Sequence, residues 1–339
     1  MALDLLTVKE HQVKAGVQGK MFFIYGGPKT GKTTIACSFS KPLLLAFEAG
    51  YNLIDGIKAV NVTSWVDMKN YAKQLKKEEV RAMYDTIIID TVPLMWGCAE
   101  KFVKTQKDIE DLTDLGFGKG YRAVRDEFQD VINSLGQMGY TLIFIAHAEK
   151  KDYVDTMGVS HSGITPALDK RPKEIISGLV DVYTFINAEP DGNGKNKSVA
   201  YLRGGTYGNT EVEAGSRYGE GLPTKIDWSY NELVKAVQSA DEAMLSSGVQ
   251  ISVDNKTILE ETKDAEATAA PKRSFAETYK ETTQVVNKIK ERIANGEEEL
   301  IEKLTNIIES YLGVGKKITE ATPQQQELVE AALAEIKEL

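Results

Sequence analysis

Residues 21–34 read MFFIYGGPKTGKTT, a short apolar run followed by a glycine-rich turn and two threonines. The apolar run predicts a buried β-strand, and the residues from Thr33 onward, TTIACSFS, are compatible with a helix. Between them, the loop from Gly26 to Thr33 matches the pattern G-x-x-x-x-G-K-[ST] at every position. A strand, such a loop and a helix in this order indicate a site that wraps a polyphosphate.

The residue types in this loop fit the chemistry of a bound triphosphate. Gly26 and Gly31 let the backbone approach closely with its N–H groups pointing inward, and the start of the helix adds partial positive charge. Lys32 has the reach for the β- and γ-phosphates, and the Thr33 hydroxyl is a ligand for Mg²⁺. Lys29 is not required by the pattern. We therefore predict ATP and Mg²⁺ as cofactors, bound by Gly26, Gly27, Pro28, Lys29, Thr30, Gly31, Lys32, Thr33 and Thr34.

Three further apolar runs predict strands of the same sheet: PLLLAF (42–47), YDTIIID (84–90) and YTLIFIA (140–146). Each is apolar on both faces, which is typical of a parallel sheet covered by helices. Amphipathic repeats at three and four residues predict helices between these runs, at 68–75 and at 121–135. The alternation predicts an α/β fold with a mostly parallel central sheet.

Two later runs predict additional strands. They are VDVYTFI (180–186) and SVAYLR (198–203), joined by a turn at PDGNGKNK. We expect them to be antiparallel additions at one edge of the sheet.

Polar residues follow three of the predicted core strands, on the side where a nucleotide would lie. Asp90 ends the third run, where a carboxylate can hold Mg²⁺ together with Thr33; the alternative is a strand-ending aspartate in a turn. Glu48 follows the second run and is a candidate activator of the attacking water; the alternative is an exposed loop glutamate. His147 ends the fourth run and is a candidate sensor of the γ-phosphate; the alternative is a structural histidine.

Composition excludes several other classes of protein. The 339 residues include 41 Lys+Arg and 50 Asp+Glu, a net charge of −9, so any nucleic-acid site must be local. Two cysteines and three histidines provide neither a disulfide framework nor a cysteine-rich zinc site, and they fit a reducing cytoplasm. No apolar run has the length of a membrane span, so we expect no membrane partner.

The predicted organisation is a core over residues 1–245, a flexible polar linker over 246–273 and a helical region over 274–339. The helical region carries apolar stripes at helical spacing on either side of Gly313 and Gly315. It is interpreted either as a small helical domain or as a hairpin for oligomerisation or partner docking.

The order of these motifs resembles the RecA-like recombinase ATPases, and most closely the small phage-encoded group linked to single-strand annealing and recombination. IIIDTVPLM resembles their Walker B strand, with Thr91 as the hydroxyl residue after the aspartate. FEAG resembles the segment of the catalytic glutamate, and IAHAEKKD resembles the sensor strand, with His147 where larger recombinases usually carry glutamine. SGLVDVYTFI and RYGEGLP also resemble the phage group, so that the resemblance covers about residues 20–235.

The resemblance implies a Mg²⁺-dependent ATPase that assembles on single-stranded DNA, in the host cytoplasm if it is phage-encoded. The homo-oligomer would be a ring or a DNA-induced filament, with Arg203 or Arg217 as the cation supplied to a neighbouring site. Loops 105–122 and 148–173 are the candidate DNA contacts. Their basic residues are Lys119, Arg122, Lys150, Lys151, Lys170, Arg171 and Lys173.

Two other functions are compatible with the sequence. One is a nucleotide-gated adaptor or loader with slow turnover, which recruits a single-strand-binding or other replication or recombination protein through the C-terminal region. The other, less favoured, is a small-molecule phosphotransferase, for which the sequence has no obvious acceptor site.

Overall fold

A computed structural model describes residues 13–154, 158–208, 210–249, 251–252, 274–313 and 315–339. They belong to two compact units, one within residues 11–261 and one within 262–339. Most of the predicted linker, 246–273, lies outside the described residues.

The first unit alternates strands and helices along most of its length. Its strands are β1 (Val13–Lys14), β2 (Met21–Gly26), β3 (Pro42–Ala46), β4 (Lys58–Asn61), β5 (Thr86–Asp90), β6 (Thr141–Val154), β7 (Ser160–Pro166), β8 (Val182–Pro190), β9 (Asn196–Tyr201), β10 (Gly205–Tyr207), β11 (Thr210–Val212), β12 (Gly215–Ser216), β13 (Lys225–Asp227) and β14 (Ile251–Ser252). Its helices are α1 (Lys32–Ala36), α2 (Trp65–Gln74), α3 (Glu78–Met83), α4 (Val92–Lys107), α5 (Lys119–Gly136), α6 (Lys170–Leu179) and α7 (Tyr230–Ser246).

The centre of the unit is a parallel sheet with the strand order β4-β3-β5-β6-β2-β8, to which β9 and then β13 add in antiparallel orientation. Successive side chains of a strand point to opposite faces. In β2, Phe23 and Tyr25 accordingly join one buried apolar cluster, while Phe22 and Ile24 join another. The predicted α/β fold with a mostly parallel sheet is confirmed.

The prediction for residues 180–186 is wrong in orientation and position. β8 pairs in parallel with β2, from Phe22 opposite Val182 to Gly26 opposite Ile186, and therefore belongs to the core of the sheet. Helix α6 carries the chain back to the edge of the sheet where β2 begins, so β8 runs in the same direction as β2. Of the two predicted strands, β9 is the one that turns back on its neighbour, since it pairs with β8 in antiparallel orientation.

The candidate loop 148–173 is largely regular structure. β6 continues past the sheet edge, and its outer half pairs with β7 in an antiparallel hairpin, from Ala148 opposite Pro166 to Val154 opposite Ser160. α6 follows after Asp169. The mixed polar and charged composition concealed the hairpin, because an exposed strand has no apolar run.

The second unit is built from the helices α8 (Phe275–Ala294), α9 (Glu299–Leu312) and α10 (Gln326–Ile336). Ser274 caps α8, and its hydroxyl accepts a hydrogen bond from the N–H of Glu277. The two apolar stripes of the sequence lie on α9 and α10. They share one cluster with α8, formed by Val286, Ile289, Leu300, Leu304, Ile318, Ala332 and Ile336.

Among the residues that the structure describes, no helix is both long and apolar enough to cross a membrane.

Candidate nucleotide-binding site

The glycine-rich loop leaves the sheet at Gly26 and enters α1 at Lys32. Gly26 pairs with His147 on one side and Ile186 on the other, and a Cβ on Gly26 would lie 2.4 Å from the carbonyl oxygen of Ile186. Gly31, the N-cap of α1, has a φ of 81°, in the left-handed region that favours glycine. The glycines of the motif are thus required by close backbone packing at one end of the loop and by backbone conformation at the other.

Lys32 directs its ammonium into the loop. The side chain is almost fully buried, and Nζ donates to the carbonyl oxygens of Gly27 (2.8 Å) and Gly26 (3.1 Å). Burial lowers the pKa of Lys32, whereas the negative charges of Asp90 and Glu48 act in the opposite direction. An anion held by the loop would stabilise the charged ammonium and provide it with stronger acceptors than two carbonyls.

Asp90 ends β5 and is only 6% exposed. Its Oδ2 accepts a 2.6 Å hydrogen bond from the hydroxyl of Thr33. Burial raises the pKa of Asp90, and the hydrogen bond from Thr33 opposes this rise. A cation beside the carboxylate would favour its ionised form, as expected of a metal-binding position.

These observations fit a magnesium-bound nucleoside triphosphate. Burial disfavours the charge on Lys32 and the charge on Asp90, and a polyphosphate at the first and a divalent cation at the second would offset both. Lys32 would hold phosphate oxygens, and Thr33 and Asp90 would hold the metal. When bound, the metal neutralises negative charge on the phosphates.

Glu48 and His147 meet at the same edge of the sheet. Ala46 pairs with Asp90, so that Glu48, two residues later, lies beside the metal-binding position. Nε2 of His147 is 3.6 Å from Oε1 of Glu48, with both side chains partly exposed. Nδ1 of His147 is buried and has no hydrogen-bond partner among the described residues. The pair combines a carboxylate open to water with a polar side chain beside the loop, as needed for a water activator and a sensor.

The AAA domain family matches residues 18–218, more than half of the chain. The chain belongs to the AAA domain family. An AAA domain is a P-loop NTPase, and its matched range contains the loop, Glu48, Asp90 and His147. The narrower resemblance to RecA-like ATPases stays a prediction.

A relative matches over the full length of the chain. It is the SPbeta prophage-derived uncharacterized protein YorG of Bacillus subtilis (strain 168), 29% identical over 345 residues, an alignment that covers 100% of this chain and 99% of the relative. The similarity therefore extends beyond the AAA domain into the helical unit.

The two arginines proposed as trans-acting cations lie within the AAA domain and contact their own chain. The guanidinium of Arg203 donates to the carbonyl oxygens of Leu222 and Glu220. That of Arg217 donates to the carbonyl oxygens of residues 178–180 and lies 3.6 Å from Asp181. Their role in a neighbouring site stays a prediction. In that role, each guanidinium would have to give up these hydrogen bonds within its own chain for contacts with the neighbour's phosphates.

The two candidate DNA segments of the AAA domain meet at the starts of α5 and α6. The guanidinium of Arg171 lies over the ring of Tyr121, 4.3 Å from its centroid. This contact places Arg171 beside the helix turn that carries Lys119 and Arg122, and all three basic residues are exposed. We name the set Lys119, Arg122, Lys170 and Arg171 the basic cluster.

The hairpin lysines of the AAA domain face in opposite directions. Lys150 and Lys151 are successive strand residues, so they point to opposite faces. Lys151 shares the face of Thr165, whose hydroxyl accepts a 3.0 Å hydrogen bond from Lys173 of α6. Lys173 also donates to both carboxylate oxygens of Glu213, so its three donors have partners and a structural role is favoured.

Two residues of this region were missed by sequence reasoning. Phe117 is fully exposed between Gly116 and Gly118, directly before the basic cluster. The sequence signal that could have identified it is a lone aromatic residue in the glycine-rich stretch GFGKG. Trp228 packs beside Gly31 from a segment outside the matched AAA domain range, and no local pattern indicated this contact.

Proposed function

We propose that this chain is a Mg²⁺-dependent ATPase of the RecA-like type that acts on single-stranded DNA in phage recombination, repair or replication. The observation that carries the proposal is the convergence of buried Lys32, the Thr33–Asp90 bond and the Glu48–His147 pair at one edge of the parallel sheet.

In this proposal, the chain's own residues divide the work of hydrolysis. Lys32 binds and orients the terminal phosphates, and Thr33 and Asp90 hold the metal. The carboxylate of Glu48 accepts a proton from the attacking water, and His147 responds to the γ-phosphate from the neighbouring strand. Removal of the Glu48–His147 contact on nucleotide binding would free the carboxylate for this role.

Single-stranded DNA is the proposed activator because basic and aromatic side chains occur together outside the nucleotide site. The basic cluster and Lys151 can contact phosphates, and the exposed ring of Phe117 can stack on a base. The phage context of the similar prophage-derived protein supports the assignment to phage DNA metabolism.

The deciding experiment measures ATP turnover with and without single-stranded DNA, using Lys32→Ala to identify background. We expect several-fold stimulation by single strands, little by duplex, and loss of at least about 100-fold in turnover for Lys32→Ala. Lys73→Ala, which removes an exposed lysine of α2, is the matched control and should retain wild-type turnover. Turnover by Lys32→Ala at the wild-type rate would refute the site.

A second candidate function is a nucleotide-gated adaptor or loader. The helices of residues 274–339 share their own apolar cluster, so this region has the makings of a separate module, as the adaptor function requires. Slow turnover that DNA does not change, together with recovery of a replication or recombination protein that requires 274–339, would favour this function over the first.

A further inference from the structure

Trp228 lies against the phosphate loop with a buried indole N–H that has no acceptor among the described residues. The residue connects β13 to Ser229, the N-cap of α7, and its side chain is 7% exposed. A Cβ on Gly31 would lie 3.9 Å from both Cδ1 and Nε1 of Trp228. The edge of the indole that carries the N–H therefore faces the glycine that caps α1.

The indole N–H groups of the other two tryptophans both have hydrogen-bond acceptors. Nε1 of Trp65 donates to Glu127 at 2.9 Å, and Nε1 of Trp96 donates to Glu100 at 3.0 Å. Buried donors in folded proteins nearly always have a partner, because an unpaired buried donor costs free energy. The unpaired N–H of Trp228 therefore costs free energy, and it lies beside the phosphate loop, which the proposed function requires to bind and release nucleotide.

The phosphate loop holds hydrogen bonds that nucleotide binding would exchange. The ammonium of Lys32 donates to the carbonyl oxygens of Gly26 and Gly27. Phosphate oxygens are stronger acceptors for an ammonium, so these carbonyls would be released when a triphosphate enters. A loop that rearranges around a triphosphate can then present a carbonyl oxygen to the indole N–H of Trp228, which lies 3.9 Å from the position that a Cβ on Gly31 would take.

We infer that Trp228 is a positioning residue of the nucleotide site, whose indole N–H gains an acceptor in the phosphate loop when a nucleoside triphosphate binds. The indole ring packs against Gly31, and its N–H stabilises the conformation of the loop that binds the triphosphate. This inference rests on the proposed binding of nucleotide, and it links α7 to the occupancy of the site.

The direct test is an NMR experiment on protein labelled with ¹⁵N at its tryptophan indoles. The three indole resonances are assigned with Trp→Phe variants, and Mg²⁺ with a non-hydrolysable ATP analogue is then added. We expect the Trp228 resonance to move downfield, the direction of a newly formed hydrogen bond. The Trp65 and Trp96 resonances serve as internal controls, because their N–H groups already have carboxylate acceptors.

A pair of matched variants separates this role from simple packing. Trp228→Phe and Trp96→Phe lose the same side-chain volume, but only Trp96→Phe also loses a hydrogen bond, so Trp228→Phe should lower the Tm without nucleotide less than Trp96→Phe does. Its affinity for the analogue, measured by calorimetry, should fall about two- to tenfold, the contribution of one neutral hydrogen bond. Trp96→Phe removes a partnered donor and should lower the Tm while leaving the affinity unchanged.

The outcomes also distinguish this inference from the function on which it rests. If the analogue binds to the wild type but the Trp228 resonance stays in place and Trp228→Phe binds equally well, the inference is overturned and the proposed function stands. If the wild type binds no nucleotide, the proposed function fails and the inference fails with it.

Discussion

The hydroxyl of Thr33 and the carboxylate of Asp90 are joined by a 2.6 Å hydrogen bond, although they lie on α1 and on β5, two elements far apart in the sequence. The sheet makes this contact possible, because β6 alone separates β2, which leads into the loop, from β5, which ends at Asp90. The fold thus brings a hydroxyl oxygen and a carboxylate oxygen together at the proposed metal-binding position.

Thr33→Ala should therefore affect the metal-dependent part of nucleotide binding. We expect Thr33→Ala to bind Mg²⁺-nucleotide about tenfold or more weakly, because a metal ligand is lost, and to bind the metal-free nucleotide in EDTA nearly as the wild type does. Thr33→Ser keeps the hydroxyl and is the matched control. Calorimetric titrations with Mg²⁺ and with EDTA measure the two affinities. If Thr33→Ala lost as much affinity in EDTA as in Mg²⁺, the metal role of Thr33 would be contradicted.

Asp90→Asn should separate stability from activity. Because burial raises the pKa of Asp90 above its ordinary value of 3.8, the folded state holds a proton that the unfolded chain releases as the pH rises from 3.8 to the folded pKa. The Asp90 contribution to the free energy of unfolding thus falls through this window, and at neutral pH the buried carboxylate destabilises the nucleotide-free protein. Asparagine removes this charge and keeps an oxygen that can accept from Thr33.

The expected result for Asp90→Asn is a higher free energy of unfolding than that of the wild type at pH 7, and this difference should shrink as the pH falls through the window from the folded pKa to 3.8. Urea unfolding at a series of pH values measures it. Mg²⁺-dependent turnover should fall at least about 100-fold in the same variant. A variant that is less stable than the wild type at pH 7 would show that Asp90 stabilises the empty site instead.

The four core strands could be predicted from the sequence because each is buried on both faces, and such burial requires an unbroken apolar run. The carboxyl ends of parallel strands share an edge, so the meeting of Asp90, Glu48 and His147 also followed, and the 3.6 Å approach of the last two confirms their proximity. The orientation of β8 did not follow, because an apolar run does not show which neighbour it pairs with. The position of Trp228 depends on tertiary packing between α7 and α1, for which the sequence has no local signal.

Glu48→Gln should preserve nucleotide affinity and reduce turnover by about 10²- to 10⁴-fold, because an amide cannot take the proton of the attacking water. His147→Gln keeps a hydrogen-bonding side chain beside Gly26 and should retain more turnover than His147→Ala. Phosphate release measured at saturating ATP and calorimetry with the analogue test these expectations together. Full turnover by Glu48→Gln would assign the activation of water to another residue.

The neighbouring lysines Lys150 and Lys151 offer a matched pair for locating DNA. Lys151 lies on the hairpin face shared with Thr165, toward α6 and the basic cluster, whereas Lys150 lies on the other face. Lys151→Ala should therefore weaken binding to single-stranded DNA more than Lys150→Ala does, although both remove one charge from the same strand.

Combining Lys151→Ala with Lys170→Ala and Arg171→Ala should also flatten the salt dependence of binding. Each phosphate contact on a single strand contributes about 0.7 to the slope of log K against log salt, so the triple variant should lose about 2. A charge-matched triple variant of the helical unit, Lys280→Ala, Lys288→Ala and Lys290→Ala, should keep the wild-type slope, since these exposed lysines lie outside the proposed DNA surface. Fluorescence anisotropy of a labelled oligonucleotide at several salt concentrations measures the slopes, and an equal slope in both triple variants would place the DNA on another surface of the chain.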